Sequence, residues 1–306
     1  MVCGLLLAHG AASAVAADSS LAVLYPDVRE PYRSVFQEII GGIQGQTDRD
    51  VRQYVLSKEA DAKALRSWLK DVNAGSVVAL GSRGINAAQL LKGYLPVISG
   101  ALMLTPNTLD NTVSGISLAA DPAVLFNRLA LLAPYVRRIH VIYNPEHNSW
   151  LVELAKAAAT DHEYELVIHA AEDLKQSARM YQEIFETIDP HVAAIWIPVD
   201  SNTVDEKVIL PLILKESWDR GILVFSSNPA HAKKGALFSI YPDNDALGRS
   251  LARMAERSII EGHDFVPGIE PLSDVRLALN RRTADHLGIN ISKELQAQFD
   301  LIFPTP

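Results

Sequence analysis

A chain of 306 residues is long enough for two domains, and at 48% apolar and 21% charged it has the composition of an ordinary globular protein. Its 36 acidic against 28 basic side chains leave a formal charge of -8, which argues against nucleic acid as a partner and leaves no basic tract for an anionic membrane. One cysteine, Cys3, excludes a disulfide framework and a cysteine-ligated metal site. The nine histidines form no HExxH and no tight cluster, so no metal and no other cofactor is expected.

The chain opens with MVCGLLLAHGAASAVAA, residues 1–17, which carries no charge beyond the terminus. It has the apolar core and small-residue end of a secretory signal, with Ala14-Val15-Ala16 as the cleavage site. The first basic side chain is Arg29, so the positive leader is missing and the true start is expected upstream. The other reading is a short buried strand or helix. The run is too short and too rich in Ala and Gly for a stable membrane span. Cys3 is a poor lipid-anchor site because bulky Val2 precedes it. Cleavage would leave no cysteine, which suits an oxidising compartment.

From Ser20 onward strand-like and helix-like segments alternate. SLAVLY (20–25) reads as a strand, and 32–43 spaces Val35, Ile39, Ile40 and Ile43 as a helix. VRQYVLS (51–57) alternates as a strand does, and 62–72 puts Leu65, Leu69 and Val72 on one helical face. VVAL (77–80) ends in Gly-Ser-Arg-Gly before an Ala/Leu-rich helical pattern; LPVIS (95–99) and VSGIS (113–117) continue the strands. The rhythm then repeats. Strands at 138–143, 164–170, 193–199, 222–227 and 236–241 interleave with helices at 149–159, 175–187, 204–219 and 244–261.

Strands separated by helices of this length predict α/β architecture with doubly wound parallel sheets. Because the rhythm occurs twice, two similar lobes are expected, joined by hinge crossings near 118-LAADP-122, 241-YPDN-244 and 267-PGIEPLSD-274. That assigns 18–118 plus 242–272 to one lobe and 119–241 plus 273–306 to the other.

Ligands of open α/β sheets bind beyond the carboxyl ends of the strands. The residues there include Tyr25, Ser82, Arg83, Ser99, Asn148, Ser149, Asp200, Ser227 and Asn228. The chain has no GxGxxG, and GSRG lacks the GK[ST] of a P-loop, so a nucleotide enzyme is not supported. What remains of the motif is a helix start that favours a small anion such as a carboxylate. Alternatively, Ser82 caps a helix beginning near Gly84 and Arg83 is solvated. No GxSxG elbow or triad spacing supports a hydrolase, and paired carboxylates such as Asp243/Asp245 are better read as helix starts. Asp200 follows the apolar strand AAIWIPV directly; it either meets an ammonium group or caps helix 204–219. Trp150, Trp196 and Phe225 suit a core, whereas Tyr25 at a strand end suits stacking on a flat ligand.

Four segments carry a family resemblance: 141-VIYNPEHNSWLVELAKAAA-159, 193-AAIWIPVDSNTV-204, 222-ILVFSSNPAHAKKGALFSIYPDNDALGRSLARMA-255 and 278-ALNRRTADHLGINIS-292. They resemble the tryptophan/tyrosine-type substrate-binding proteins of ABC transporters, which have a type I periplasmic-binding fold. The likeness runs in order over residues 75–292. It implies an exported, periplasmic, monomeric, non-enzymatic receptor that clamps a small solute, often an amino acid, between its lobes. The receptor would deliver that solute to an ABC permease in the inner membrane. The alternative use of the same fold is a sensory or accessory ligand-binding protein without transport. Carried over by position, the resemblance implies that Ser82 takes a carboxylate, Asn148 and Ser149 line the second lobe, Asp200 receives an amino group, and Ser227 hydrogen-bonds the ligand. Three departures point toward a more acidic solute. Arg83 stands where the family has a small residue, 101-ALMLTPNTLD-110 lacks its Asp-Pro turn, and the chain before residue 75 matches poorly.

Overall fold

The computed structural model describes residues 19–58, 60–108 and 113–304. The segment read as a secretory signal, with Cys3, lies outside the described residues. In chain order the elements are β1 (Ser20–Pro26), α1 (Tyr32–Gln46), β2 (Val51–Leu56), α2 (Ala62–Asp71), β3 (Ala74–Leu80), α3 (Gly81–Leu90), β4 (Val97–Gly100) and β5 (Ser114–Ala120). Then come α4 (Pro122–Leu132), β6 (Arg138–Tyr143), α5 (Pro145–Asp161), β7 (Glu165–Ala170), α6 (Leu174–Thr187), β8 (Ala193–Ile197), α7 (Ile209–Arg220), β9 (Leu223–Ser226) and α8 (Pro229–Lys234). The last are β10 (Phe238–Pro242), α9 (Asn244–Glu261), β11 (Ile269–Leu272), β12 (Val275–Asn280), α10 (Arg281–His286), α11 (Lys293–Gln296) and β13 (Leu301–Phe303). The described residues form two compact units, one of those up to Leu118 with Asp243–Asp274, the other of Ala119–Pro242 with those from Val275 onward.

The sheet of the first unit runs β11-β5-β4-β3-β1-β2, and its strands from β2 through β5 pair in parallel. Leu21, Ala22, Val23 and Leu24 are all buried, as consecutive residues must be when helices cover both faces of a strand. On one face Leu24, Val77, Ala79 and Val97 pack against Leu65 and Leu69 of α2 and Ala87 and Ala88 of α3. Elsewhere α9 packs on α1 and lies along β3 and β4. The approach of α9 to α1 is close enough to demand glycine. A Cβ on Gly42 would stand 2.0 Å from the Asp245 carbonyl oxygen, and one on Gly248 2.0 Å from that of Ile39.

The sheet of the second unit runs β13-β12-β10-β9-β8-β6-β7. The stretch from β7 to β10 is parallel, but β12 runs antiparallel to β10, and β13 follows β12 in parallel. The sheet is thus dominated by parallel pairing, as expected, with a single antiparallel junction between β10 and β12. On one face α4 and α5 pack with Trp196, Phe225 and Phe238. Phe126 of α4 meets Trp196 edge-on at 5.7 Å and 84°. On the other face α6 and α7 pack on Ile142, Ile195, Ile197 and Val224.

Two helix starts differ from the sequence reading for one reason, the chemistry of capping. Asn144 accepts the Glu146 N–H and Pro145 occupies the first turn, so α5 begins at Pro145 rather than 149. Asp205 accepts the N–H groups of Lys207, Val208 and Ile209, which holds 204–208 as a turn and delays α7 to Ile209.

Candidate functional site

At the carboxyl end of the first unit's sheet, three expected residues come together. Tyr25, half-buried, ends β1 and lines a hollow of about 210 Å³ with Pro26, Asp27, Arg33 and Phe36. Beside it Gly81 opens α3 with φ +68, and a Cβ there would meet Phe36 at 3.0 Å and Pro26 at 3.8 Å. The first glycine of GSRG is thus set by a left-handed turn against these side chains. The helix begins at Gly81, so Ser82 sits inside the first turn and is no cap. No side chain caps this start, so its first-turn N–H groups have no side-chain acceptor, and the Ser82 hydroxyl beside them is exposed. Arg83 is not simply solvated. Its Nη1 donates to the Leu56 carbonyl at 3.1 Å and to the Asp27 carbonyl at 3.3 Å, tying α3 to the tips of β1 and β2.

Ser99 does not join them. It is fully enclosed in β4, and its hydroxyl has no hydrogen-bond partner among the described residues. It continues the Val97 row that faces α2 and α3, so the expected rim position is corrected to an interior one. The next turn carries Ala101 at φ +60, a left-handed conformation unfavourable for alanine.

At the carboxyl end of the second unit's sheet, Asp200 is the centre. The expectation left it either as a crevice carboxylate for an ammonium group or as a helix cap. It is buried at 7% exposure, and three protein donors already hold it. Oδ2 accepts the Asn144 N–H at 2.7 Å and Asn148 Nδ2 at 2.8 Å, and Oδ1 accepts the Asn202 N–H at 3.0 Å. Asp200 therefore fastens the tip of β8 to the start of α5. Burial first, and the nearby Asp200 carboxylate second, push the phenol of Tyr181 well above its usual range.

The neighbours of Asp200 are also positioned by local bonds. Asn148 is buried and committed to Asp200. Ser149 is exposed, with its hydroxyl donated back to the Pro145 carbonyl at 2.5 Å. Ser227 is half-buried and accepts Trp196 Nε1 at 3.3 Å. Asn228 caps α8 through the Ala230 N–H at 3.0 Å and donates to Glu206 at 3.3 Å.

Sequence reasoning missed one cluster altogether. Ser226 Oγ lies 2.8 Å from His231 Nδ1, and His231 Nε2 lies 3.1 Å from Glu206 Oε1. Lys234 pairs with the same carboxylate. Burial lowers the His231 pKa against the opposing pull of Glu206, and the Lys234 hydrogen bond lowers that of Glu206. The order Ser–His–Glu resembles a hydrolytic relay, but Ser226 is fully buried and its hydroxyl also reaches the Ile197 carbonyl at 3.0 Å. The relay's physical content is to fix the β9 tip. Nothing in the sequence announces it, because Glu206 and His231 sit in separate segments and meet only through the fold. Among the described residues no group of three or more His, Cys, Asp or Glu could hold a metal ion, and no helix is long and apolar enough to cross a membrane.

Each of the two α/β units thus carries polar residues at the carboxyl tips of its strands, where open α/β sheets bind ligands. The family described as ABC transporter substrate binding protein matches residues 75–300, and the chain belongs to that family. Solved structures agree on the fold. An ABC domain in complex with L-Trp from Streptococcus pneumonia is 19% identical, covers 93% of this chain and 100% of its own, and has a TM-score of 0.53. A conserved domain protein from Vibrio cholerae is 18% identical, with 93% and 99% covered and a TM-score of 0.53. The ligand-free, open structure of a substrate binding protein with adhesive properties from Clostridium difficile is 16% identical, with 94% and 100% covered and a TM-score of 0.61. The fold is that of type I periplasmic binding proteins. No curated protein matches the sequence.

Proposed function

We propose that this chain is the extracytoplasmic capture component of an ABC importer. It takes a small polar solute, an amino acid or a related carboxylate, and passes it unaltered to a permease in the inner membrane. The observation that carries the solute class is the start of α3. An uncapped helix N-terminus with an exposed serine and a fixed arginine beside a tyrosine-lined hollow suits a carboxylate attached to a flat or apolar body. Ser149 and Ser227 would supply hydroxyl contacts from the second lobe. Asn148 and Asp200 would frame that surface, with the one lone pair Asp200 retains available to an ammonium group.

A thermal-shift screen of amino acids, small carboxylates and heterocycles, followed by titration calorimetry, tests the reading. A carboxylate ligand is expected, and replacing Ser82 and Arg83 together by alanine should weaken it by about tenfold or more. Unchanged affinity in that variant would reject the anion role of α3. A screen in which only uncharged solutes bind would reject the solute class.

A further inference from the structure

The second unit carries a cavity that the proposed receptor function does not use. It encloses about 570 Å³ among Lys215 and Trp218 of α7, Lys233 and Lys234 at the end of α8, Arg282 of α10, and Phe303 at the end of β13. That volume is in the range of small-molecule sites. The cavity lies at the amino end of β10, where Gly235 and Asn280 line it and the Asn280 N–H donates to the Leu237 carbonyl at 2.8 Å. Because β12 and β13 run against β10, their carboxyl ends point to this edge. Asn144, Asp200 and Ser227 sit at the opposite edge of the same sheet. Ligands at the two edges would not touch.

The lining is chemically lopsided. It has four cations and no carboxylate, in a chain with eight more acidic than basic side chains. Two of the cations are engaged at the rim, Lys215 with Asp219 at 2.8 Å and Lys234 with Glu206. Lys233 and Arg282 have no carboxylate partner among the described residues, and Arg282 lies 5.1 Å over the Trp218 ring. Trp218 is stacked by His286 at 3.7 Å and 7°, and His286 Nε2 meets the Trp218 carbonyl at 2.8 Å. The indole is therefore clamped before anything binds, and with Leu214, Phe303 and Pro304 it makes an apolar wall beside the unpaired charge. A prearranged apolar wall lowers the cost of ordering a ligand.

We propose that this cavity binds an organic anion, with its planar apolar body along Trp218 and Phe303 and its phosphate or carboxylate head at Lys233 and Arg282. It is a second ligand site, separate from the proposed solute site and independent of whether that reading holds.

The test is a titration of the isotope-labelled full chain with phenyl phosphate at constant ionic strength. The readouts are the Trp218 indole N–H, assigned with Trp218→Phe, and the amides of Gly235 and Thr283. A saturable shift is expected at these positions while Asn148 and Ser227 stay in place. Lys233→Glu combined with Arg282→Glu should weaken binding by about tenfold or more, and both residues are exposed, so the melting temperature should hold. Lys233→Arg, which keeps the charge, should bind nearly as tightly as the parent. Inorganic phosphate should bind at least about tenfold more weakly, since it has no apolar body to bury. Benzoate matching phenyl phosphate would assign the head as a carboxylate and uphold the site. Shifts that remain linear to about 20 mM, shifts unaffected by the double charge reversal, or shifts confined to Asn148 and Ser227 would each overturn the proposal.

Discussion

Replacing Asp200 by alanine tests the distinction between a ligand contact and a structural fastening. The carboxylate is buried and accepts the Asn144 N–H, Asn148 Nδ2 and the Asn202 N–H at 2.7, 2.8 and 3.0 Å. Removing it strands two buried donors, Asn144 N–H and the Asn148 amide, at the start of α5. Hydrogen bonds to a charged group contribute about 1.5–3 kcal/mol each, so losing the two buried ones costs about 3–6 kcal/mol. We expect a loss of about 4 kcal/mol for the ligand-free protein. For a unit of this size that corresponds to a fall in Tm of roughly 8–16 °C. Asp200→Asn keeps one acceptor oxygen but turns an NH₂ toward existing donors, so it should recover at most half. Calorimetry of the ligand-free variants reads both. A Tm within about 2 °C of the parent, together with lost solute binding, would refute the fastening role and return Asp200 to direct ligand recognition.

Two further substitutions probe separate parts of the fold. His140 faces His169 with Nδ1 and Nε2 3.4 Å apart, and burial first, then the charge of His169 and Arg138, lowers its pKa to about 4 against the opposing pull of Glu165. The unfolded chain thus holds more protons between pH 6.5 and 4, so stability is complete above 6.5 and declines on acidification through that window. The decline from His140 is about 1.4 kcal/mol per pH unit, at most about 3 kcal/mol. His140→Leu should flatten the acid limb of the Tm profile, and parallel profiles for the two proteins would dismiss the assignment. Ala101→Gly relieves the φ of +60 after β4 and should raise stability by about 0.5–1 kcal/mol in urea unfolding; a decrease would mean the conformation carries no strain.

Strand and helix content was legible in the sequence because continuous apolar runs such as AAIWI mark strands covered on both faces, and the 3.6 period is strong in α9. The site was less so. At the Leu-Ala-Ala-Asp-Pro segment, proline and aspartate read as linker punctuation, yet Asp121 accepts the Ala123 N–H and Pro122 opens α4. The same two residue types serve turns and helix starts, and only the apolar period of the downstream residues distinguishes them. Asp200 was found as a strand-tip carboxylate, but two of its three donors come from 52 and 56 residues away, beyond any local pattern. Ser99 shows the opposite error. Its alternation with Val97 placed it inward, while its closeness to the strand end suggested the rim. The cavity around Trp218 draws on five elements, α7, α8, β12, α10 and β13, and left no motif to read.

The seam between α1 and α9 has a consequence for how the molecule is assembled during synthesis. The glycine pair at 42 and 248 lets two helices mate backbone to backbone, but one of them emerges only after residues 119–242 have been made. A nascent chain ending at Leu118 lacks the partner that covers α1, β3 and β4, so its amino-terminal half must remain incomplete while the other half is still being translated. Completion of the earlier-made unit thus depends on the later-made one.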